Sequence, residues 1–561
     1  MKEYEQAILD AQRDIRAQRI DKPLPQRLLE SNQVELYYGV PAMFDDYEFY
    51  EDIALNEIFL RVSGCEYARD HGNGKALSAR SWLESFPVST YDDYRPYVQR
   101  SMNGDSSTLY SDDTVAYILT SGTTGTPKIF AESVSGNFAK LLVMRLRGYF
   151  MRTAFPITGD YSARNLTFSN YASMGNAPDG KPILRASGVT ARNMRKYTGQ
   201  MNIIPAEFWE LADIGPRERD YMIALMALSD ENYAKTFSNN LAHLGRVLAR
   251  IDDEADRMIY DIRKGTVSAD IPAQARECMK DLLPPNYSRA ADLMAILREY
   301  GSVSSKAALR ETWPRFMLVS GWLNGSTGRD ARRLFRRLPS GVGTYDMGYG
   351  SSEGKWVIPL KKASAMGAAS PWTAIYEFRD LRTGALLHAL DVEPKTFYEL
   401  VVTTYSGLVR YSMKDVVYVE GFEDKTPIFS FCGKTNETVQ VNGRVRDSHN
   451  IQALFAWLEL SEKVEFDLVQ ACVVDGKLFF ILESPHRVDY RRLLKKLNDV
   501  LMEHWKIPVE GIYEVNSAYE QAYFDSKELP GRGVSGIKVP TVVGSLPEER
   551  FVKSVVKGAL R

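Results

Sequence analysis

VAYILTSGTTGTPK, residues 115–128, is the stretch that decides the fold of this chain. It opens with apolar strand formers, and a loop of small and hydroxyl-bearing residues follows them at once. The next segment, NFAKLLVMRLRGYFM at 137–151, has the pattern of an amphipathic helix. Strand, loop and helix in this order predict an α/β layer with a ligand at the end of the strand.

The loop has the composition of a polyphosphate site. Its glycines let backbone N–H groups approach a ligand closely, its hydroxyls add donors, and its lysine adds a positive charge. These residues are Gly122, Gly125, Ser121, Thr123, Thr124 and Lys128. The loop does not match the Walker pattern G-x-x-x-x-G-K-[ST], so this is a different phosphate motif. An ordinary surface loop is the alternative interpretation.

Two shorter motifs carry groups that suit the rest of a nucleotide. In YGSSE (349–353), the ring of Tyr349 can stack on a purine, and Glu353 can bind Mg²⁺ through oxygen. Between them, close approach and phosphate contacts are expected from Gly350, Ser351 and Ser352. Asp415, at the end of GLVRYSMKD, suits bidentate hydrogen bonding to ribose hydroxyls. Taken singly, a turn capped by serine and an exposed turn aspartate explain these motifs as well.

The composition of the 561-residue chain argues against several classes of protein. Lys and Arg total 70 and Asp and Glu 72, a net charge of −2, whereas nucleic-acid platforms usually show a basic excess. No apolar run reaches the ~18 residues of a membrane span, and the charged N-terminus is unlike a secretory signal. The four scattered cysteines and six histidines show no metal-ligand spacing. We expect a cytoplasmic monomer without nucleic-acid or membrane partners.

The chain is too long to form a single hydrophobic core, because single cores stop growing near ~250–300 residues. After about residue 425 the sequence pattern changes. VQACVVDGKLFFILES predicts two strands joined at Asp475-Gly476, and the helical pattern DYRRLLKKLNDVLMEHW follows. We predict an α/β protein with a large multi-layer N-terminal domain over residues 1–425 and a hinge over 426–434. A small, mobile α+β domain is predicted over 435–561.

The order of the motifs resembles the adenylate-forming superfamily, which includes firefly luciferase and the acyl-CoA ligases. Within it, the chain is most similar to the acyl acid–amido synthetases, the auxin-responsive Gretchen Hagen family of plants and its bacterial relatives. The TTYSGLVRY block and GIKVP favour this family over the acyl-CoA ligases. The matching segments are FPVSTYDDYRPYVQR (86–100), the phosphate loop, IYDIRKGTVS (259–268), WPRFMLVSGW (313–322), GYGSSE (348–353), TTYSGLVRYSMKDVVYVEGF (403–422), PIFSF (427–431) and GIKVP (536–540).

The resemblance implies an AMP-forming ligase that makes carbon–nitrogen bonds and uses ATP and Mg²⁺. A small carboxylic acid would attack the α-phosphate of ATP, and an amine, expected to be an amino acid, would then displace AMP. An acyl-CoA or acyl-thioester ligase on the same fold is the first alternative. A non-catalytic adenylate-binding protein is the second.

The resemblance also implies a role for each site residue. The loop at 121–125 and Lys128 would hold phosphates, and Tyr349 would contact adenine. Ser352 would touch the α-phosphate, Glu353 would bind Mg²⁺ and Asp415 would hold the ribose. Gly350 and Ser351 belong to the same ATP- and AMP-binding segment.

Some positions depart from the family pattern. Plant members have Arg and Gly where this chain has Ser412 and Lys414, and their linker lysine falls near Val445. The candidates for that phosphate role are the flanking arginines, Arg444 and Arg446, and Lys538 of the tail, and we place Arg446 in the ATP site.

Lys538, in GIKVP, matches a lysine of the family's C-terminal motif. The resemblance implies that it reaches over the reacting carboxylate as a catalytic group, with GRG at 531–533 as a mobile approach. A surface lysine is the alternative.

Overall fold

The structure is a computed structural model. It describes residues 2–19, 21–72, 76–120, 127–155, 163–168, 173–189, 192, 201–211, 214–520, 522 and 539–558.

Helices make up much of this described part of the chain. They are α1 (Glu3–Arg16), α2 (Leu24–Glu30), α3 (Gln33–Asp45), α4 (Tyr47–Val62), α5 (Glu66–His71), α6 (Ala79–Glu84), α7 (Tyr91–Met102), α8 (Val134–Ala154), α9 (Pro216–Ser229), α10 (Ala242–Lys264), α11 (Ala273–Leu282), α12 (Tyr287–Tyr300), α13 (Leu309–Thr312), α14 (Gly328–Arg337), α15 (Ser448–Glu462) and α16 (Tyr490–His504). Short 3₁₀ segments lie at Ala206–Glu210, Gly325–Thr327 and Glu549–Phe551. Among the helices described, none is long and apolar enough to cross a bilayer.

The strands form several separate sheets. They are β1 (Thr114–Leu119), β2 (Ile129–Ser133), β3 (Arg164–Phe168), β4 (Ile183–Leu184), β5 (Tyr233–Ser238), β6 (Leu318–Gly321), β7 (Gly343–Asp346), β8 (Val357–Pro359), β9 (Gly367–Ala369), β10 (Ala374–Asp380), β11 (Leu386–His388), β12 (Thr396–Thr404), β13 (Tyr411–Glu423), β14 (Thr426–Lys434), β15 (Thr438–Val441), β16 (Arg444–Asp447), β17 (Leu468–Val474), β18 (Lys477–Glu483), β19 (Val509–Val515), β20 (Val542–Val543) and β21 (Val552–Lys557).

Three sheets of the large N-terminal part surround the candidate site. The order β3-β5-β6-β7 forms a parallel sheet, and β11-β10-β12-β13-β14-β9-β8 forms a seven-stranded antiparallel sheet. A small sheet, β2-β1-β4, lies beside them. The C-terminal part has the mixed sheet β20-β17-β18-β19-β21 with α15 and α16. The predicted α/β class, with an α+β unit at the C-terminus, is confirmed.

Elements specified by local sequence form as expected. Strands β17 and β18 pair with Val474 opposite Lys477, so Asp475 and Gly476 make a two-residue turn. Their φ angles, 50° and 72°, are both positive, as a type I′ turn requires. The helix predicted from 137–151 is part of α8, which begins after Ser133, whose hydroxyl accepts from the Gly136 N–H at 2.9 Å.

One expectation about chain order needs correction, and the segment predicted as a hinge forms a strand. The phosphate loop is not followed directly by a helix, because IFAES forms β2, which pairs antiparallel with β1 and turns the motif into a hairpin. The predicted hinge, 426–434, coincides with β14, which is hydrogen-bonded to β13 on one side and to β9 on the other. Pairing on both edges holds this segment within the large sheet. The domain boundaries themselves stay a prediction.

In the described part of the chain, buried apolar side chains gather in several cores, which agrees with a length too great for one. One core packs α9 and α10 against the parallel sheet. A second packs the N-terminal helices against the seven-stranded sheet and includes Tyr117, Tyr349 and Phe429. The third lies wholly within the C-terminal part, between α15, α16 and its sheet.

Arginines of one helix, α14, form a group of ion pairs between the large part and the C-terminal part. Arg329 meets Glu459 at 2.5 Å and donates to the Phe466 carbonyl at 3.0 Å. Arg333 meets Glu483 at 3.0 Å and also contacts Glu520. The remaining pairs join Arg332 to Glu459, Arg333 to Asp467, and Arg336 to Glu465 and Asp467.

We predict that Arg329→Met destabilises the protein by about 3 kcal/mol or more, because it leaves Glu459 and a carbonyl partly unpaired at a buried position. Arg329 is 8% exposed, whereas Arg337 on the same helix pairs with Asp252 near the surface. Arg337→Met should therefore cost about 1 kcal/mol or less. Calorimetric melting of both variants checks this, and equal losses would contradict it.

Candidate active site

The ends of the phosphate loop are held together by two reciprocal hydrogen bonds. The Thr120 N–H donates to the Lys128 carbonyl, and the Lys128 N–H donates to the Thr120 hydroxyl, both at 2.9 Å. The hairpin β1–β2 therefore brings Lys128 back beside the strand that precedes the loop. The predicted phosphate ligands Ser121, Gly122, Thr123, Thr124 and Gly125 lie outside the described residues.

Lys128 is a half-buried cation next to several other charges. Its ammonium lies 5.3 Å from the centre of the Tyr91 ring, over the ring face. Burial lowers the pKa of Lys128, and the carboxylate of Glu353 acts in the opposite direction. Lys434 lowers this pKa further, while Asp415 raises it, so the four charged groups lie within electrostatic reach of one another.

Tyr349 and Asp415, predicted from separate motifs, are in direct contact. The Tyr349 hydroxyl donates to Asp415 Oδ2 at 2.6 Å, and both side chains are buried, at 8% and 4% exposure. The Tyr349 ring stacks on Phe431 with centroids 5.5 Å apart and meets the edge of Phe429. Burial, aided by Asp415, raises the pKa of Tyr349 well above its usual value, so the phenol keeps its proton.

Lys434 is a member of this cluster that sequence reasoning missed. It lies opposite Asp415 in the β13–β14 pairing, and its ammonium is 2.5 Å from Asp415 Oδ1. Burial opposes the charged form, but Asp415 prevails and raises the pKa of Lys434. The sequence feature that could have identified Lys434 is its position, three residues after Phe431 at the end of the F-x-F segment.

A bulge in β13 sets the direction of Asp415. The β12–β13 register shifts between the pairs of Glu399 and Val401, and within that shift Lys414 has φ 58°. Left-handed backbone is uncommon for a residue with a side chain, and bulges of this kind re-aim their neighbours. The family's glycine at the position of Lys414 suits the same conformation.

The segment Gly350–Glu353 forms a tight turn just beyond β7. Gly350 bridges to Lys355, the Ser351 N–H donates to the Gly354 carbonyl at 2.8 Å, and the Glu353 N–H donates to Ser351 Oγ at 3.2 Å. A Cβ on Gly350 would lie 3.1 Å from the Gly354 carbonyl oxygen, so a side chain there would crowd the turn. Ser351 thus caps the turn, and Glu353 stays partly exposed at its tip.

The arginines predicted for the linker are not brought into this cluster. The Arg446 guanidinium lies 5.5 Å from the centre of the Trp505 ring, against the C-terminal part. Arg444 is exposed on β16. Lys538 lies outside the described residues. Among the linker cations, Lys434 is therefore the one in contact with Asp415.

The donor set fits a divalent cation that arrives with a nucleotide. In the described ranges, no cluster of three or more His, Cys, Asp or Glu side chains could form a metal cage. Mg²⁺ usually keeps several waters and takes one or two carboxylates together with substrate phosphates. Glu353, a partly exposed carboxylate within electrostatic reach of Lys128, matches that requirement.

Comparison with known proteins gives consistent matches. The model described as "GH3 family N-terminal domain" matches residues 44–337, and "GH3 family central domain" matches 367–434. The jasmonoyl–L-amino acid synthetase GH3.5 of Oryza sativa subsp. japonica is 23% identical over 527 residues, 86% of this chain and 85% of the relative. The indole-3-acetic acid-amido synthetase GH3.3 of Arabidopsis thaliana is 24% identical, covering 93% of this chain and 89% of the relative.

A solved structure supports the same grouping at the level of fold. The AtGH3.15 acyl acid amido synthetase in complex with 2,4-DB superposes with a TM-score of 0.78 at 19% identity, covering 94% of this chain and 97% of that one. The N-terminal family model alone spans more than half of the 561 residues. The family predicted from the motifs is confirmed: the chain belongs to the GH3 family.

Proposed function

We propose that this protein is an ATP-dependent acyl acid–amido synthetase that joins a small carboxylic acid to an amine, expected to be an amino acid. The observation that carries the proposal is the contact of Tyr349 and Lys434 with Asp415, with Lys128 and Glu353 within electrostatic reach. These residues come from three sheets and supply what an acyl-adenylate site needs. The names of the GH3 relatives, which are amido synthetases, point to the same reaction.

In the first half-reaction a carboxylate oxygen of the acid attacks the α-phosphorus of ATP. A new acyl–oxygen–phosphorus bond forms, the bond to the β-phosphate oxygen breaks, and pyrophosphate leaves. The attacking group and the triphosphate are both anionic, so positive charge must stand where they meet. Lys128 and Lys434 supply it, and Glu353 would hold Mg²⁺, which would neutralise further charge on the phosphate oxygens.

The adenosine half is held by the buried part of the cluster. The Asp415 oxygens accept from the ribose hydroxyls, and each retains a lone pair beyond its bond to Tyr349 or Lys434. Tyr349 and its stacking partner Phe431 offer an aromatic surface beside the purine. The loop at 121–125 and Ser352 complete the phosphate contacts in this proposal.

In the second half-reaction the amine nitrogen attacks the acyl carbon of the adenylate. A carbon–nitrogen bond forms, AMP leaves with the pair of electrons from the broken acyl–oxygen bond, and the nitrogen loses a proton. The C-terminal part, from about residue 435, acts as a lid that shields the reactive adenylate from water, and Lys538 would be carried with it.

The products distinguish this proposal from a thioester ligase. Incubated with ATP, Mg²⁺ and a library of carboxylic acids, the protein should catalyse acid-dependent ATP–pyrophosphate exchange. Addition of an amino-acid mixture should then give amides detectable by mass spectrometry. Thioester formed with CoA, without any amide, would assign the chain to the alternative reaction.

Glu353→Gln should lower the exchange rate by at least about a hundredfold, roughly 2.7 kcal/mol of barrier, because the amide loses the charge that binds the metal. Glu393→Gln is the matched control, since Glu393 is 73% exposed and its nearest ion pair is 4.0 Å away. The control should keep the normal rate. A normal rate in the Glu353 variant would rule out the metal role.

Asp415→Asn should raise the Kd for ATP by about 1–3 kcal/mol, roughly fivefold to 150-fold, since the ribose loses a charged acceptor. Asp424→Asn, at the exposed turn that joins β13 to β14, controls for a change in the same strand pair. Calorimetric titration with ATP measures both. Equal affinities in the two variants would contradict the ribose role.

A further inference from the structure

Lys140 connects three elements that surround the candidate site. It lies on α8, and its ammonium donates to Glu132 Oε2 at 2.6 Å and to the Ser352 carbonyl at 2.8 Å. Glu132 lies on β2, which begins directly after Lys128. Ser352 immediately precedes Glu353. The Lys140 ammonium therefore links the β1–β2 hairpin to the turn that carries the proposed metal ligand, Glu353.

The Glu132 end of this link is rigid. The carboxylate is 1% exposed, and a buried charge of this kind is stable only when it is paired. Burial raises the pKa of Glu132, while Lys140 acts in the opposite direction. Two acceptors also fix the long lysine side chain, which is otherwise free to occupy many rotamers. Lys140 is thus held at a defined distance from β2.

At the other end of this link, the turn around Ser352 depends on Lys140 for its anchoring. Within the turn, the bonds from Ser351 to Gly354 and from Glu353 to Ser351 are internal, so they shape the turn without anchoring its tip. The bond from Lys140 to the Ser352 carbonyl anchors that tip to α8 and, through Glu132, to β2. The Glu353 carboxylate extends from the next residue along the chain.

We propose that Lys140, held by Glu132, is a positioning residue that fixes the Glu353 carboxylate relative to β2 and Lys128 and so sets the affinity for the divalent cation bound with ATP. The inference rests on the proposed function, because it takes Glu353 as the metal ligand. Partners that orient a metal ligand commonly change metal affinity by about 10–100-fold when they are removed.

A direct contact with the acid substrate is the competing explanation. Lys140 borders a small cavity together with Leu141, Met144, Val189 and Ser351. If the acid bound there through Lys140, loss of the ammonium would raise the KM for the acid and leave the metal dependence unchanged.

The test uses the double variant Glu132→Gln/Lys140→Met, which removes both charges and so avoids a lone buried carboxylate. We expect it to melt near the wild-type temperature and to need about tenfold more Mg²⁺ or higher for half-maximal ATP–pyrophosphate exchange. The KM for ATP at saturating Mg²⁺ should change by less than about threefold.

Lys140→Arg keeps the cation and should restore most of the metal affinity. Arg152→Met, an exposed change on the same helix, should behave like the wild type.

An unchanged Mg²⁺ dependence in the folded double variant would overturn the inference, and so would a defect confined to the KM for the acid. Binding of Mn²⁺ in the presence of ATP, followed by water-proton relaxation, gives a readout that needs no turnover. If the wild type supports no exchange with any acid, the proposed function fails, whereas a weaker Mn²⁺ complex in the double variant would still uphold the role of Lys140.

Discussion

The contact between Tyr349, Asp415 and Lys434 is the constraint on which the rest of the site depends. A carboxylate with 4% exposure is stable only if its charge is met by a cation and a donor, and both are present at hydrogen-bond distance. Lys434 can reach Asp415 only in the observed β13–β14 register, since a shift of one residue would turn its side chain to the other face. The hydroxyl of Tyr349 then ties the segment after β7 to that strand pair.

The site draws one group from each of three sheets. Lys128 comes from the β1–β2 hairpin, Tyr349 follows the last strand of the parallel sheet, and Asp415 lies in the seven-stranded sheet. The carboxyl end of a parallel strand is where α/β proteins usually place a ligand, and β7 follows that rule. The antiparallel sheet contributes the buried charges, which need the firm support of neighbouring strands on both sides.

Sequence reasoning succeeded where the signal was local. The Asp475-Gly476 turn, the helix after the phosphate loop and the α/β class all follow from spacings of a few residues, and the structure has them. The five residues of β2 were missed because their partner strand lies across the loop. Lys434 was missed for the same reason: only the pairing of β13 with β14 brings it to Asp415, nineteen positions earlier in the chain. PIFSF, which lies within the predicted hinge, has an alternating pattern that suits the strand it forms.

The arginine face of α14 has a consequence for solubility. Where two parts of a chain adhere through apolar side chains, separation exposes a surface that favours aggregation. Here the opposing faces carry guanidinium and carboxylate groups, which water solvates readily if the faces come apart. Dissolved ions weaken the exposed pairs of such a contact, over a screening length of about 8 Å at physiological ionic strength. The ionic medium around the protein therefore helps to set how firmly its C-terminal part is held.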